Sequence, residues 1–293
     1  VARGPGFGPV EGWLARTRRS LGFVKGCHQP LPRLFYTPRL VGGRKTWNPP
    51  RGLVLDEAAA WTATRCGIDS YTLDPSQASL MAPWEAARRL RGCDAPLCRA
   101  ALELLELLGL PLGEPPGGVT GGLAYSPRSA GDMDLVVYGL GTGSEVYRAL
   151  HDLREEGVTA PLRGRGHGWS RADEALHEAL ARNRLLQGIY RGRVYEVRVV
   201  ACTAPSPCPR IFTEGWRSVE GVVCGGLGYA TPSLYRVCGV DGEDWLVVSY
   251  RLRYTELPRG LRVRVQGQVQ RLCGLRVLVP DHGGSVEPLG LGP

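Results

Sequence analysis

The sequence predicts an α+β protein in three parts: a basic, helix-bearing N-terminal region over residues 1–110, a mixed core over 111–202, and a small C-terminal β module over 203–293. Three observations carry this reading. The 293 residues are 43% hydrophobic and 22% charged, which is enough apolar material for a packed core and enough length for more than one. Hydrophobic periodicity changes along the chain, from helix-like at 80–110 to strand-like beyond about 203. The whole net charge of +8 sits in the first 50 residues, where nine Lys and Arg face a single acid, Glu11.

The same numbers exclude other classes. No stretch approaches the length of apolar chain that spans a bilayer, so no transmembrane helix and no membrane partner are expected. The basic, apolar and small-residue order of a secretory signal is missing, so a cytoplasmic location is the expectation. Of 36 basic residues 34 are Arg, and Asn occurs only at Asn48 and Asn183. That bias and the Pro-rich loops fit a thermophile, although a GC-rich genome gives the same composition. Nine Cys include no Cys-x-x-Cys pair, so a zinc ribbon is not expected. Cys93 with Cys98, and Cys202 with Cys208, are close enough in sequence for short-loop disulfides. Buried free thiols are the favoured reading for most of the nine.

Taken in order, residues 1–55 are rich in Pro, Gly and Arg, with one extended candidate at Arg33–Tyr36. Pro83 opens a helix that stops at Gly92, and Leu97–Leu108 forms a second that stops at Gly109. Its apolar positions wrap nearly all round, which predicts burial. Leu110–Gly118 is a linker. Gly131–Gly139 reads as a strand, and Ser144 caps a helix to about Glu156 with Val146, Leu150 and Leu153 on one side. After a glycine-rich loop at Pro161–Trp169, Ser170 and Asp173 form a weak capping box for a helix that Gly188 ends. Val194–Val200 is a strand. Beyond it come short strands at 219–224, 234–239, 244–251, 261–272 and 274–279. Leu261–Gln270 alternates apolar and polar residues, as a half-buried antiparallel strand does. A small barrel, OB-like, fits this pattern.

The chemistry concentrates in Thr120-Gly121-Gly122, followed nine residues later by Asp132-Met133-Asp134. On a strand, Asp132 and Asp134 share one face about 7 Å apart, a spacing suited to divalent cations. Consecutive glycines let backbone N–H groups approach a phosphate. A glycine turn with a carboxylate pair outlines a site for a metal and a triphosphate. Either motif alone is commonplace in a chain with 41 Gly.

The spacing resembles the nucleotidyltransferase signature of the DNA polymerase β superfamily, with Thr120 in place of the usual apolar residue before the glycine. More narrowly, Phe23–Arg33, Gly118–Ala124 and Ala130–Gly139 resemble segments of an archaeal family of predicted nucleotidyltransferases of uncharacterised substrate. Gly122 stands where that family usually has Ser, which removes a hydroxyl from the turn. The resemblance implies a polymerase β-like nucleotidyltransferase core. It also implies transfer of a nucleoside monophosphate from a nucleoside triphosphate to a hydroxyl of RNA, protein or a small molecule. In that scheme Asp132 and Asp134 hold Mg²⁺ or Mn²⁺, and Glu196 supplies the third carboxylate as general base. Thr120, Gly121 and Gly122 position the triphosphate, and Arg128 is the nearest candidate to neutralise charge on it.

Other motifs rank lower. Gly139-Leu140-Gly141-Thr142-Gly143 lacks the last glycine and the distant acid of a dinucleotide fingerprint, so it reads as turn glycines before a helix. The five His (His28, His151, His167, His177, His282) are scattered and read as structural; Cys27-His28 has no role assigned. Aromatic residues lie among basic ones at Trp13–Arg19 and Arg33–Arg39, a pattern able to stack bases or simply to pack. Arg262, Arg264, Gln266, Gln268 and Gln270 line the polar side of one strand, as a backbone-binding face or a solvated one. The basic N-terminus suits an RNA partner. Three readings therefore stand: the metal-dependent enzyme, a catalytically silent nucleotide- or RNA-binding protein, and a structural component of a larger ribonucleoprotein.

Overall fold

The computed structural model describes residues 6–46, 51–164, 170–272 and 274–290. About 40% of the chain lies in strands and 22% in helices. This corrects the predicted fold class. The protein is mostly β-sheet, and it is not an α+β chain with a polymerase β-like core behind a helical N-terminus. The physical reason is visible in the first 81 residues. Their Pro and Gly interrupt strands of two to eight residues, most of them too short to show a period. The arginines that read as a loose basic region mostly project from these strands and turns.

The chain divides into two compact units, 1–149 with 190–210, and 150–189 with 211–293. In the first, β1 (Leu14–Arg16), β2 (Ser20–Val24), β4 (Leu34–Val41), β6 (Ala59–Ala63), β7 (Asp69–Leu73) and β8 (Ser79–Met81) form an antiparallel sheet. Its order is β6-β7-β4-β2-β1-β8, with β5 (Arg44–Lys45) on β4. The short β3 (His28–Gln29) pairs in parallel with β14 (Ser206–Pro207). Helices α1 (Pro83–Leu90) and α2 (Pro96–Leu107) follow the sheet. Pro at the first helical position presets the backbone of each.

The central part of this unit is β9 (Gly117–Val119), α3 (Gly121–Tyr125), β10 (Met133–Tyr138), the start of α4 (Leu140–Glu155, its residues from Leu150 on in the second unit) and β13 (Arg193–Val200). β10 lies between antiparallel β9 and parallel β13. Met133, Leu135, Val137, Tyr195, Val197 and Val199 are buried on one face of these strands. On the other, Val136, Tyr138 and Val200 join Val10, Trp13, Val24, Leu34 and Tyr36 of the N-terminal sheet in one core. α4 starts at Leu140, four residues before the expected Ser144 cap. A Cβ at Gly143 would overlap Val199, so the glycine there serves close helix–strand approach. Disulfides Cys27–Cys202, Cys66–Cys208 and Cys93–Cys98 lie in this unit. Cys202 and Cys208 thus bond to distant partners, and the favoured reading of free thiols does not describe these residues. Cys273 falls outside the described residues.

The second unit contains β11 (Thr159–Pro161), α5 (Arg171–Leu180), β12 (Gln187–Tyr190, its last residue in the first unit), β15 (Phe212–Leu227), β16 (Ala230–Thr231), β17 (Ser233–Gly239), β18 (Asp244–Ser249), β19 (Arg262–Leu272), β20 (Leu275–Val279) and β21 (Ser285–Pro288). The order β15-β17-β18-β20-β19 closes on itself because β15 also pairs with β19. Val219, Val237, Val263 and Val265 fill the interior with Leu176 and Leu180 of α5. Ser170 caps α5 by accepting from the Asp173 N–H. Among the described residues no helix is long and apolar enough to cross a membrane.

Candidate metal and nucleotide site

The glycine turn and the carboxylates meet at the start of β10. At Thr120 the backbone N–H donates to the Asp134 carbonyl at 2.9 Å, and Oγ1 donates to the Gly12 carbonyl at 2.8 Å. These two bonds fix the turn against both the strand and the N-terminal segment. Gly121 follows at φ +57°, a conformation that L side chains rarely adopt, and a Cβ there would overlap the Asp134 carboxylate. Glycine is therefore required twice over at 121. At Gly122 a Cβ would stand 3.1 Å from that of Ala130.

β13 runs parallel to β10 with Glu196 beside Asp134 and Arg198 beside Val136. Neighbours in register share a face, and alternate residues along a strand do too. Asp134, Glu196 and Arg198 thus occupy one face, and exposed Asp132 stands just ahead of the strand. Burial pushes the Asp134 carboxyl up to about 7, and the negative charges of Asp132 and Glu196 add to the rise. Arg198 and Lys25 work against it. The sequence-predicted carboxylates therefore feel one another.

Those two cations belong to a second cluster. Lys25 Nζ donates to Glu11 Oε1 at 2.7 Å, the Gly26 N–H donates to Oε2 at 2.8 Å, and Arg198 Nε lies 3.7 Å from Oε1. Burial alone would raise the Glu11 carboxyl, but Lys25, Arg198 and the Gly26 N–H together hold it below its usual range. Burial lowers the Lys25 ammonium, and Glu11 only partly restores it. The loop carrying Lys25 is braced by Gln29, whose amide donates to the carbonyls of Lys25 and Gly26, each at 2.8 Å. Cys27–Cys202 ties the same loop to the chain just beyond β13.

Thr120, Gly121, Gly122, Asp132, Asp134 and Glu196 are brought together. Arg128 is not part of this group as placed: its exposed side chain lies 3.6 Å from Asp94. Trp13 and Tyr36 are core residues, Trp13 edge-on to Trp84 and Tyr36 bonded to Ser20, so neither offers a stacking face. Arg33 donates to Thr72 and to the Ala58 carbonyl. Arg264 is engaged by Glu220 and Glu287, which makes that strand face an ion-paired one. His28 bonds Ser206, while Arg3 and His167 lie outside the described residues. Sequence reasoning assigned no role to Glu11 or Lys25. One signal was available: Lys25 is one of only two lysines in a chain with 34 arginines.

Among the described residues, no group of three His, Cys, Asp or Glu stands arranged to hold a metal ion. No protein-family model matches the chain, and no curated protein matches it. Among solved structures it is similar to a chain from a replication protein A heterotrimer bound to single-stranded DNA. That match has 23% identity and a TM-score of 0.22, and covers 26% of this chain and 57% of the other. This chain therefore spans little over half of that one, and a likeness of this size carries no argument.

Proposed function

We propose that the protein is a metal-dependent nucleotidyltransferase. It would transfer a nucleoside monophosphate from a nucleoside triphosphate to a hydroxyl acceptor. The observation that carries this reading is Asp134, a carboxyl pushed up to about 7 by burial and by Asp132 and Glu196 around it. Asp132, Asp134 and Glu196 lie close together, and the fields of Arg198 and Lys25 only partly offset burial and the neighbouring charges at Asp134. The donors of these three acids are all hard oxygens, the kind Mg²⁺ and Mn²⁺ prefer. Mg²⁺ is commonly held by one or two carboxylates together with water and substrate phosphates, so a preformed three-residue cage is not required. Asp132 and Asp134 would hold the ion. Bound there, it would acidify the acceptor hydroxyl and offset charge on the phosphoryl oxygens.

The chain's own residues account for the rest. Glu196, in register beside Asp134, would accept the proton of the attacking hydroxyl. Attack at the α-phosphorus forms the new P–O bond and breaks the bond to the β-phosphate, so pyrophosphate leaves. Gly121 keeps a side chain out of the space at the Asp134 carboxylate, Gly122 keeps one away from Ala130, and Thr120 holds their turn in place. The resemblance of this motif to nucleotidyltransferase signatures supports the same assignment.

A second reading is a catalytically silent nucleotide- or RNA-binding protein. The absence of three converged ligands among the described residues favours it. One experiment separates the two. Mn²⁺ binding and pyrophosphate release from labelled triphosphates are compared in wild type and in the Asp132→Asn/Asp134→Asn variant, with RNA and protein acceptors supplied. The enzyme reading expects metal-dependent binding and release, both lost in the variant. Triphosphate binding that ignores metal and survives the double substitution would sink it.

A further inference from the structure

We propose that Lys25 and Arg198, mounted together on the buried Glu11 carboxylate, form a polyphosphate-binding pair. It would take the phosphate chain of the substrate beside the Asp132, Asp134 and Glu196 carboxylates. The proposal rests on the reading of this site as a nucleotide site and names the residues that meet the phosphates.

The Glu11 side chain is 8% exposed, whereas Lys25 is 37% exposed and Arg198 24%. Solvent, and therefore a phosphate, reaches the cations but barely reaches the anion between them. Charge points the same way. One carboxylate, Glu11, holds the two cations side by side on a partly buried surface. Arg39 adds its field at Lys25. If Glu11 existed only to pair with a cation, one partner would suffice.

Arg198 lies two residues beyond Glu196 on the same face of β13, about 7 Å along the strand. Acidic groups suited to a metal thus adjoin a basic pair, as a metal-bound polyphosphate needs. The arrangement is also built to be rigid. Gln29 grips the Lys25 loop, and its Oε1 accepts from the Phe35 N–H at 2.6 Å. Cys27–Cys202 fastens the loop to the segment after β13. Pre-ordering two long side chains lowers the entropy lost when a ligand binds.

Lysine and arginine divide the work by their chemistry. The ammonium of Lys25 is a compact point charge, and the guanidinium of Arg198 presents a planar fork that matches phosphate oxygens. The ligand is therefore recognised by its closely spaced phosphates, which a nucleoside triphosphate and inorganic tripolyphosphate share.

The test is calorimetric titration of the full chain with sodium tripolyphosphate in EDTA, at low salt and near neutral pH. Lys25→Met and Arg198→Gln should each weaken binding about tenfold or more, the loss expected for a charged hydrogen bond. Glu11→Gln should tighten it, because one negative charge beside the ligand is removed. A purely structural triad predicts the opposite for Glu11→Gln, since loosened cations bind less well. Lys25→Arg should retain most of the affinity, and it answers the question if Lys25→Met fails to fold. A nucleoside triphosphate should follow the same order, and short single-stranded RNA without a terminal phosphate should be indifferent to Lys25→Met. Absence of tripolyphosphate binding by wild type, or affinity unchanged in both cation variants, would overturn the proposal. So would a response confined to RNA. Binding that obeys the expected order in a protein with no Mn²⁺ site and no turnover would keep the pair and remove the transferase.

Discussion

Asp134 holds its proton far above the range of an ordinary carboxyl, and this has a consequence for stability. Its folded value is about 7, against about 4 in an unfolded chain. Between those two pH values the folded state keeps a proton that the unfolded state releases. Stability from this residue is therefore fully present below about pH 4 and lost as pH rises through about 7. Asp134→Asn removes the penalty. In EDTA at about pH 8 the variant should melt higher than wild type, by roughly 2–4 °C for each kcal/mol recovered. The gain should shrink toward about pH 4, and thermal melts across this range check it. Gly121 gives a second prediction. Gly121→Ala places a Cβ on the Asp134 carboxylate at a positive φ, so Mn²⁺ binding should be lost and stability should fall by about 1–2 kcal/mol from the backbone alone. Denaturant melts and metal titration measure both. The glycine, the paired aspartates and Glu196 were legible as residue types and spacings. Lys25 and Glu11 were not, because their nearness to β13 crosses more than 170 residues of sequence.

Strand β10 was legible because its apolar run is uninterrupted, and α5 because Ser170 and Asp173 cap it reciprocally. The start of α4 was not. Gly141 and Gly143 argue against helix by intrinsic propensity, and only packing of Gly143 against Val199 explains their place inside it. Most N-terminal strands were missed for a related reason, although the extended candidate at Arg33–Tyr36 overlaps β4. Leu34–Val41 alternates buried and half-buried positions along most of its length, but β1 and β8 are three residues each and carry too little pattern to read. Element α5 also carries a pH response. Its His177 is buried, donates from Nε2 to the Leu162 carbonyl, and meets buried Arg184 at Nδ1, 3.2 Å away. Burial and then Arg184 hold its imidazole below the usual histidine value of about 6.5. The unfolded chain thus takes up a proton that the folded chain refuses, and stability falls as pH drops below about 6.5. His177→Gln should flatten that fall, as urea melts near pH 7.5 and about 5.5 would show. An acid limb unchanged in the variant would place the loss elsewhere.

At the scale of the whole molecule, the disulfides are distributed unequally. Three lie in the first unit and Cys224–Cys238 lies in the second. Cys27–Cys202 and Cys66–Cys208 join residues 175 and 142 apart, whereas Cys224–Cys238 spans 14. On the loop-entropy account each long bridge contributes more, about 5 kcal/mol against about 3 kcal/mol for a short one. A reductant should therefore lower the melting temperature chiefly through the first unit. Hydrogen exchange should show protection lost first where β3 pairs with β14, since both of its strands adjoin a bridged cysteine. Equal loss in both units would contradict this. By itself the sequence determined a charge asymmetry, the local elements with strong periodicity, and a set of residues of the types that metal and phosphate sites use. These are local properties, written in composition and in spacings of a few residues. Tertiary structure alone decided that the basic N-terminus is a sheet and that eight cysteines pair. It also decided that Glu11 and Lys25 stand beside Arg198. Such contacts join distant parts of the chain, and they are selected by which strands can bury their faces together, a condition no local pattern encodes.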